Sequence, residues 1–590
     1  MIRQKIEKLI RGALNNLGIE EVSFVVEHPA EFDKGDYATN IALVLSKKLG
    51  KNPKQIAEEL SVEIQKFVDT DEDLQKIEVA GPGFINFYLT KDFFKKSISE
   101  ILDKGNEYGK NGKLFTNQIW AVEYASPNPN KAMHLGHMRN TVTGVTICNL
   151  LESNGAKVIR EMVDNDRGIA IAKLMWGYLV GGKKFKEDFK DISYWHEHKN
   201  EWLTPTDTGE KPDRFADRMY VIGAEEFNNE DNEKSIRRMV VDWEAKDPIV
   251  WDLWSTVLSW VHDGQGQTLK RLGASFDYVW HEHEHYEDGK KYVEKGLKEG
   301  IFQKLEDGAI VTNLGSKGLT DTIVQKNDGT ALYITQDIAL TELKKKKHNA
   351  DKMVWVIGPE QSLAMQQLFA VCEQLGIAEA GWLNFKHISY GYVSIKGQGK
   401  MSSRAGNVVY ADDFLDEVKN KVKDIIKDRV ESDQIEIISE NIAKGVVTYE
   451  MLKMGRTKDT AFDFDNALSF EGDSGPYLQY AVTRAHSVLH KADVENITLA
   501  VTADDFEITN LEKMLYRFPE VVERAGEDFA PQLVTTYITE LAGVFNSWYG
   551  NHVIVSGEDN SPYRVALTKA FTHVMQNGLS ILAIPVPSKM

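Results

Sequence analysis

Along the first 110 residues the apolar positions follow two periods. Ile2, Ile6, Leu9, Ile10, Ala13, Leu14 and Leu17 recur at helical spacing and predict an N-terminal helix. VSFVVE reads as a short strand, and GDYATNIALVLSKKLGKNPKQIAEEL as two helices, the second opened by Asn52 and Pro53. IEVAGPGFINFYL reads as two strands about a Gly-Pro-Gly turn, so 1–110 is expected to be an α+β unit. The pattern then changes. IWAVEYA is a buried-strand run, Ser126 to Asn130 a turn, and His134 to Ser153 a helix closed by Asn154 and Gly155, with a second strand in AKVIREMVD. Strand, turn, helix, strand opens a doubly wound parallel sheet, and a Rossmann-type α/β domain is expected over 111–411. Residues 181–260 are polar and helix-rich and read as an insertion into it. FDYVW, AIVTNL, ALYITQ and KMVWVIG read as further strands, and KHISYGYVSIKG closes the region. A helical connecting segment is expected over 412–465 and an all-helical bundle over 466–590, where Leu511, Met514, Leu515, Phe518, Val521 and Val522 share one face and Leu533, Tyr537, Leu541, Val544, Phe545 and Trp548 another.

Composition narrows the class. With 590 residues, 42% hydrophobic and 27% charged, the chain has the balance of a multidomain globular protein. Its apolar runs fall short of the roughly 18 residues of a membrane span. The basic, amphipathic N-terminus carries Glu7, lacks serine and stops at Gly18, so it reads as a structural helix rather than a targeting peptide. Cys148 and Cys372 are too few for a disulfide framework, which points to a reducing compartment and the cytoplasm. A net charge of −19 argues against broad nucleic-acid binding, though not against a local basic face. Lys344 to Lys347, and Lys419, Lys421, Lys423, Lys427 with Arg429, are two clusters of that kind, each read first as a solvated helix face.

The sharpest local feature is PNPNKAMHLGHMRN, where the first strand of the sheet turns into its helix. Free N–H groups and the helix dipole favour phosphate there. His134 and His137, three apart, project from the first turn as hydrogen-bond donors, and Gly136 allows a base or phosphate to approach the backbone. The second feature is GQGKMSSRAGN at 397–407, in which Lys400, Ser402, Ser403 and Arg404 supply a cation, two hydroxyls and a guanidinium between glycines, as a loop over a polyphosphate would. No Walker A sequence is present.

Together and in this order the two features resemble the HIGH and KMSKS elements of class I aminoacyl-tRNA synthetases. The resemblance extends to the arginyl-tRNA synthetase family through VEYASPNPNKAMHLGHMRNT, NDGTALYITQDIAL, VWVIGPEQSL, FDNALSFEGDSGPYLQYAVTRAHSVL, FNSWY, KGDYATNIAL and VAGPGFINFYL, which span nearly the whole chain and are least clear over 181–260. It implies ligation of arginine to the terminal ribose of tRNA(Arg), with ATP and its Mg2+ as a substrate complex. His134, His137, Lys131 and Lys400 would be catalytic, and Asn130, Gly136, Met401, Ser402, Ser403 and Arg404 would hold ATP. Glu123, Ser126 and Asn128 would meet the ammonium and carboxylate ends of arginine, and Tyr333, Asp337 and Gln361 its side chain. A carboxylate such as Asp337 suits the guanidinium fork. The N-terminal unit would touch the corner of the tRNA and the helical bundle its anticodon, with Tyr480, Trp548 and Tyr549 as stacking candidates. A monomer is expected.

The loop departs from KMSKS at Ser403, where the second lysine stands in other class I enzymes, and Lys131 is expected to supply that cation from the opposite side. HEHEHYE at 281–287 would place His281, His283 and His285 on one face of a strand, as metal ligands, but is read as a polar strand end, and no protein-held metal is expected. The alternatives are a class I synthetase for another amino acid and a non-catalytic tRNA-binding relative.

Overall fold

The computed structural model describes residues 1–187, 191–330, 332–397, 408–501 and 507–590. They form two compact units, the first built from 1–110 with 478–524 and 536–580, the second from 111–477 with 525–535 and 581–590.

The first unit begins with α1 (Ile2–Asn16), β1 (Val26–Glu27), β2 (Tyr37–Thr39), α2 (Ile41–Leu49), α3 (Pro53–Val68), β3 (Leu74–Ala80), β4 (Phe84–Leu89) and α4 (Lys91–Lys104). Asn52 caps α3 by accepting from the Lys54 N–H at 2.9 Å, and Pro53 occupies its first turn. The sheet is antiparallel in the order β1-β2-β4-β3. Two details differ from the sequence expectation. Only Val26 and Glu27 of VSFVVE pair as strand, and Tyr37–Thr39, expected in a helix, is a buried strand. Asp36 explains the second, since its carboxylate accepts from the Leu89 N–H at 2.8 Å and its N–H donates to Phe87 O at 2.8 Å, registering the segment against β4.

The second unit runs β5 (Ile119–Glu123), α5 (Leu135–Ser153), β6 (Lys157–Asp164), α6 (Ile169–Gly181), α7 (Ile192–Glu197), α8 (Pro205–Thr208), α9 (Pro212–Glu226), α10 (Glu230–Glu244), α11 (Pro248–Arg271), β7 (Tyr278–His281), α12 (Glu282–His285), α13 (Lys290–Lys298), β8 (Gln303–Lys304), β9 (Ile310–Val311), β10 (Ile323–Gln325), α14 (Tyr333–His348), β11 (Lys352–Val356), α15 (Ser362–Gln374) and β12 (Phe385–Ile388). Its main sheet is wholly parallel in the order β12-β11-β5-β6-β7. Counted along the chain these strands lie 3-2-1-4-5, the doubly wound arrangement, with its switch point between β5 and β11. The helices between β6 and β7 form their own core around Trp195, Trp202, Phe215, Met219, Ile236 and Leu253. Within it α6 and α9 touch backbone to backbone, and a Cβ on Gly177 would stand 1.9 Å from Met219 O.

Two expected strands of the parallel sheet are not in it. AIVTNL contributes β9 to a separate antiparallel sheet, β10-β9-β8. ALYITQ leads into α14 instead. Its aromatic and β-branched residues make the first helical turn, and the buried positions Thr335, Ile338, Ala339 and Lys344 that follow lie on a helical period. Thr335 Oγ1 donates to Val324 O at 2.6 Å and ties that turn to β10.

The chain continues through β13 (Val393–Ile395), α16 (Ala411–Ile426), α17 (Ile435–Leu452), β14 (Thr460–Phe462) and α18 (Phe464–Ala467) to α19 (Gly475–Val494), α20 (Asn510–Leu515), α21 (Phe518–Glu527), α22 (Pro531–Asn551) and α23 (Ser561–Ile581). The connecting segment is thus not purely helical, because β13 and β14 pair in parallel. The apolar face from Leu511 to Val522 is split between α20 and α21, while Leu511, Met514, Leu515, Phe518, Val522, Tyr537, Leu541, Phe545 and Trp548 are all buried. Among the described residues no helix is long and apolar enough to cross a membrane.

Candidate active site

The crevice at the carboxyl end of β5 is shaped first by α5. His134 is its N-cap residue, and its Nδ1 accepts from the Gly136 N–H at 3.1 Å. The His137 Nδ1 accepts from the His134 N–H at 3.1 Å, completing a reciprocal cap in which imidazoles replace the usual hydroxyl and carboxylate. The rings stack with centroids 3.8 Å apart. Because each Nδ1 accepts, each Nε2 must carry the proton, and the pair presents two N–H donors. Burial and the Lys131 charge hold His134 below the ordinary imidazole value. Burial, with His134 and Lys131, pushes His137 down to about 3. The donors are therefore neutral at physiological pH. Gly136 has a more specific role than open backbone, since an added Cβ would come 3.0 Å from His134 Cε1 and press the ring out of its cap.

Other residues hold this turn in place. Asn140 accepts from the Ala125 N–H at 2.6 Å and donates to Val356 O at 2.8 Å and to the Tyr390 hydroxyl at 3.0 Å, bracing the ends of β5 and β11 across the switch point. Ala125 and Ser126 have φ of +65° and +40°, and non-glycine residues persist in that region only where neighbours enforce it. The Ser126 hydroxyl accepts from the Val163 N–H at 3.0 Å. Gln265, from the inserted α11, donates to Asn128 O at 3.1 Å and Lys131 O at 2.8 Å. Arg139, buried and pushed down to about 10 by burial, donates to Thr460 Oγ1 at 2.5 Å and to the carbonyls of Arg456 and Lys458, both at 3.2 Å. Asn140, Gln265 and Arg139 are absent from the sequence expectation. Their partners are distant along the chain, and no local spacing marks them.

Lys131 is half-buried, its ammonium 5.4 Å from the Tyr220 ring centroid, and its charge reaches both histidines. Asn130 is buried. Lys400, Met401, Ser402, Ser403 and Arg404 lie outside the described residues. The described residues that follow them do meet the motif. Val409 O accepts from the Leu135 N–H at 3.0 Å, Tyr410 bridges His134, and the Ala411 N–H donates to Met133 O at 2.9 Å.

Around the expected arginine pocket, Glu123 ends β5 and is buried, with Oε2 2.6 Å from Lys344 Nζ and Oε1 3.4 Å from the Ser126 hydroxyl. Lys344 is 1% exposed and does not belong to the solvated cluster expected at Lys344 to Lys347. Burial alone would depress it, but Glu123 and Glu161 overcome that and raise it. Glu161 lies 3.7 Å from Lys344 and 2.8 Å from His348 and accepts from Trp280 Nε1 at 2.7 Å. The lysines of the second basic cluster are paired with carboxylates: Lys419 with Glu436 and Glu440, Lys421 with Glu417, Lys423 with Glu436, and Lys427 with Asp424.

Tyr333 and Asp337 are one turn apart on α14, the tyrosine 82% exposed. The Asp337 carboxyl is pushed up to about 7 by the desolvation of surrounding protein, with Glu123 and Glu282 adding and Lys344 opposing. Its residue surface remains open to solvent. The structure thus brings Glu123 and Asp337 into one electrostatic neighbourhood with Lys344. Gln361 is exposed just beyond β11, and the Asn128 residue is exposed with its carbonyl held by Gln265.

A doubly wound sheet with a histidine-capped helix at its switch point is the nucleotide-binding frame of class I synthetases, and residues 97–464 match the family described as tRNA synthetases class I (R), catalytic domain. Residues 478–590 match the DALR anticodon binding domain, and 4–89 the arginyl tRNA synthetase N terminal domain. The arginine–tRNA ligase of Treponema denticola is 33% identical over 615 residues, covering 99% of this chain and 99% of that protein. That of Bacteroides thetaiotaomicron is 30% identical over 622 residues, covering 99% and 100%. In fold, the Thermus thermophilus arginyl-tRNA synthetase superposes with a TM-score of 0.77 at 23% identity over the full length of both chains. The chain belongs to the arginyl-tRNA synthetase family of class I enzymes.

Proposed function

We propose that the crevice at the ends of β5 and β11 carries out the family's reaction through the residues assigned above. The chain is an arginine–tRNA ligase: arginine is activated with ATP to arginyl-adenylate, releasing pyrophosphate, and then passes to the 3′-terminal ribose of tRNA(Arg). The observation that carries the residue roles is the pair of neutral imidazoles whose Nδ1 atoms are engaged by backbone N–H groups. The arginine carboxylate attacks the α-phosphorus, and charge builds on phosphate oxygens. His134 and His137 meet that charge with Nε2–H donors that need no reorientation. Lys131 adds a cation from the same turn, and Lys400 completes the phosphate grip with Met401, Ser402, Ser403 and Arg404. Asn130 and Gly136 lie against the nucleotide.

In the pocket Asp337 pairs with the guanidinium, Tyr333 and Gln361 complete its recognition, and Ser126 and Asn128 hold the amino and carboxylate ends. Glu123 acts with them through the oxygen it does not give to Lys344. Mg2+ arrives with ATP. The N-terminal region, 1–110, meets the tRNA corner and the C-terminal helical region, 466–590, the anticodon. Trp548 is buried beside Phe545 and His552, which leaves Tyr480 and Tyr549 as the stacking candidates. The enzyme works as a cytoplasmic monomer.

A panel of twenty amino acids with total tRNA tests the assignment. Arginine alone should be esterified, and arginine-dependent pyrophosphate exchange should need tRNA. Preferred charging of another amino acid would overturn it.

A further inference from the structure

HEHEHYE does not continue β7 as a strand. His281 closes β7, residues 282–285 make one helical turn, and the three histidines part company. His285 turns into the protein, where neither ring nitrogen finds a hydrogen-bond partner among the described residues. His281 and His283 turn toward two carboxylates from the end of β6 and the loop after it. His281 Nδ1 is 2.8 Å from Asp164 Oδ2 and 3.6 Å from Asp166 Oδ2. His283 Nδ1 is 2.5 Å from Asp166 Oδ2. His262, from α11, reaches Asp164 Oδ2 at 2.9 Å through Nε2.

The carboxylates are deeply placed, Asp164 3% and Asp166 1% exposed, while the imidazole side chains keep 23% to 39% of their surface. A cation can therefore enter from the histidine side. Asp166 is also pre-oriented. Its Oδ1 accepts from the His283 N–H at 3.0 Å, and its backbone carbonyl accepts from Trp254 Nε1 at 2.6 Å, which leaves Oδ2 aimed at the imidazoles. Trp254 and Trp251 stand edge-on to the His283 ring and restrict its rotation. One ligand atom each from Asp166, His281 and His283 lies within 4.8 Å of the others.

Two buried carboxylates facing three imidazoles need compensating positive charge. Two nitrogens and one oxygen are too few oxygens for calcium and suit a borderline ion. We propose that Asp166, His281 and His283 bind one divalent transition-metal ion of the zinc class. Asp164, whose Oδ2 meets both His281 Nδ1 and His262 Nε2, flanks the site as a second carboxylate. Water fills the remaining position. The ion would tie the end of β6 to the turn after β7. This inference stands apart from the ligase assignment.

The test uses the full chain, stripped with a chelator and titrated with Co2+ followed by visible absorption and with Zn2+ followed by calorimetry. One equivalent of each should bind. The double substitution His281→Gln, His283→Asn should weaken binding about 100-fold or more, whereas His285→Gln should leave it in place. His281→Cys guards against a double variant that fails to fold. It should keep the site and add the near-ultraviolet thiolate-to-cobalt band of a new sulfur ligand. Absence of stoichiometric binding, binding indifferent to the double substitution, or a His281→Cys protein without that band would each overturn the proposal.

Discussion

Two pairs of histidines in one unit sit in opposite electrostatic surroundings. His134 and His137 take their partners from within three residues, and burial with a nearby lysine strips them of charge. His281 and His283 take theirs from 117 residues away, and hydrogen bonds to Asp164 and Asp166 push His281 up to about 10. The first pair can offer N–H to a developing anion because it is neutral and fixed. The second is held by carboxylates, which demand a proton or a cation. The residue type is the same, so the chemistry is set by what the backbone brings near: a helix N-terminus in one case, the ends of two adjacent strands in the other.

The comparison extends to a third buried group with distant partners, and there the largest effect is expected. Lys344 sits between Glu123 and Glu161. Lys344→Met would leave two carboxylates facing each other without their cation, and should lower stability by about 3–5 kcal/mol. A shift in the urea unfolding of the full chain measures it. A drop below about 1 kcal/mol would mean that long-range charge partners here are easily replaced, and would weaken the contrast drawn from the histidines.

This contrast also explains how much was legible in the sequence. The Asn52 cap, the Gly-Pro-Gly hairpin and the helix opening at His134 are local arrangements, made by residues within a few positions of one another, and spacing reveals them. The strand at Tyr37–Thr39 depends on Asp36 meeting Leu89, and the helix at Tyr333 on burial against distant elements, so local propensity misassigns both. Lys344 looked like one of four surface lysines because burial is not written in a run of charges. The expected site residues at the ends of β5 and on α14 fall in one electrostatic neighbourhood, but the residues that hold the crevice, Asn140 and Gln265, were invisible for want of any local signature.

Next in size is the catalytic role of the neutral pair, in which capping and donation can be separated. His137→Ala removes one Nε2–H donor and should slow tRNA-dependent pyrophosphate exchange about 10²–10³-fold with little change in the arginine KM. His134→Asn keeps a side chain favoured at N-cap positions, so stability should change by less than about 1 kcal/mol while the same exchange rate falls. If His134→Asn retained full activity, the imidazoles would be caps and nothing more.

The smallest effect concerns the Asp337 carboxyl, which, like the first histidine pair, is pressed toward neutrality by its surroundings. It titrates near 7 because desolvation, Glu123 and Glu282 favour its protonated form more than Lys344 opposes it. The sign for binding follows directly: above that value the group is a carboxylate and attracts a guanidinium, and below it the group is neutral and does not. The arginine KM should therefore rise as pH falls through about 7, approaching about tenfold per unit further down. Asp337→Asn removes the charge at every pH. Its KM should be about 10- to 100-fold higher at neutral pH and nearly flat between about pH 6 and pH 8. Pyrophosphate exchange at three pH values, with both proteins under the same saturating tRNA, gives the two profiles. If they run parallel, the proton that governs arginine affinity lies elsewhere, and Asp337 is not the group that reads the guanidinium.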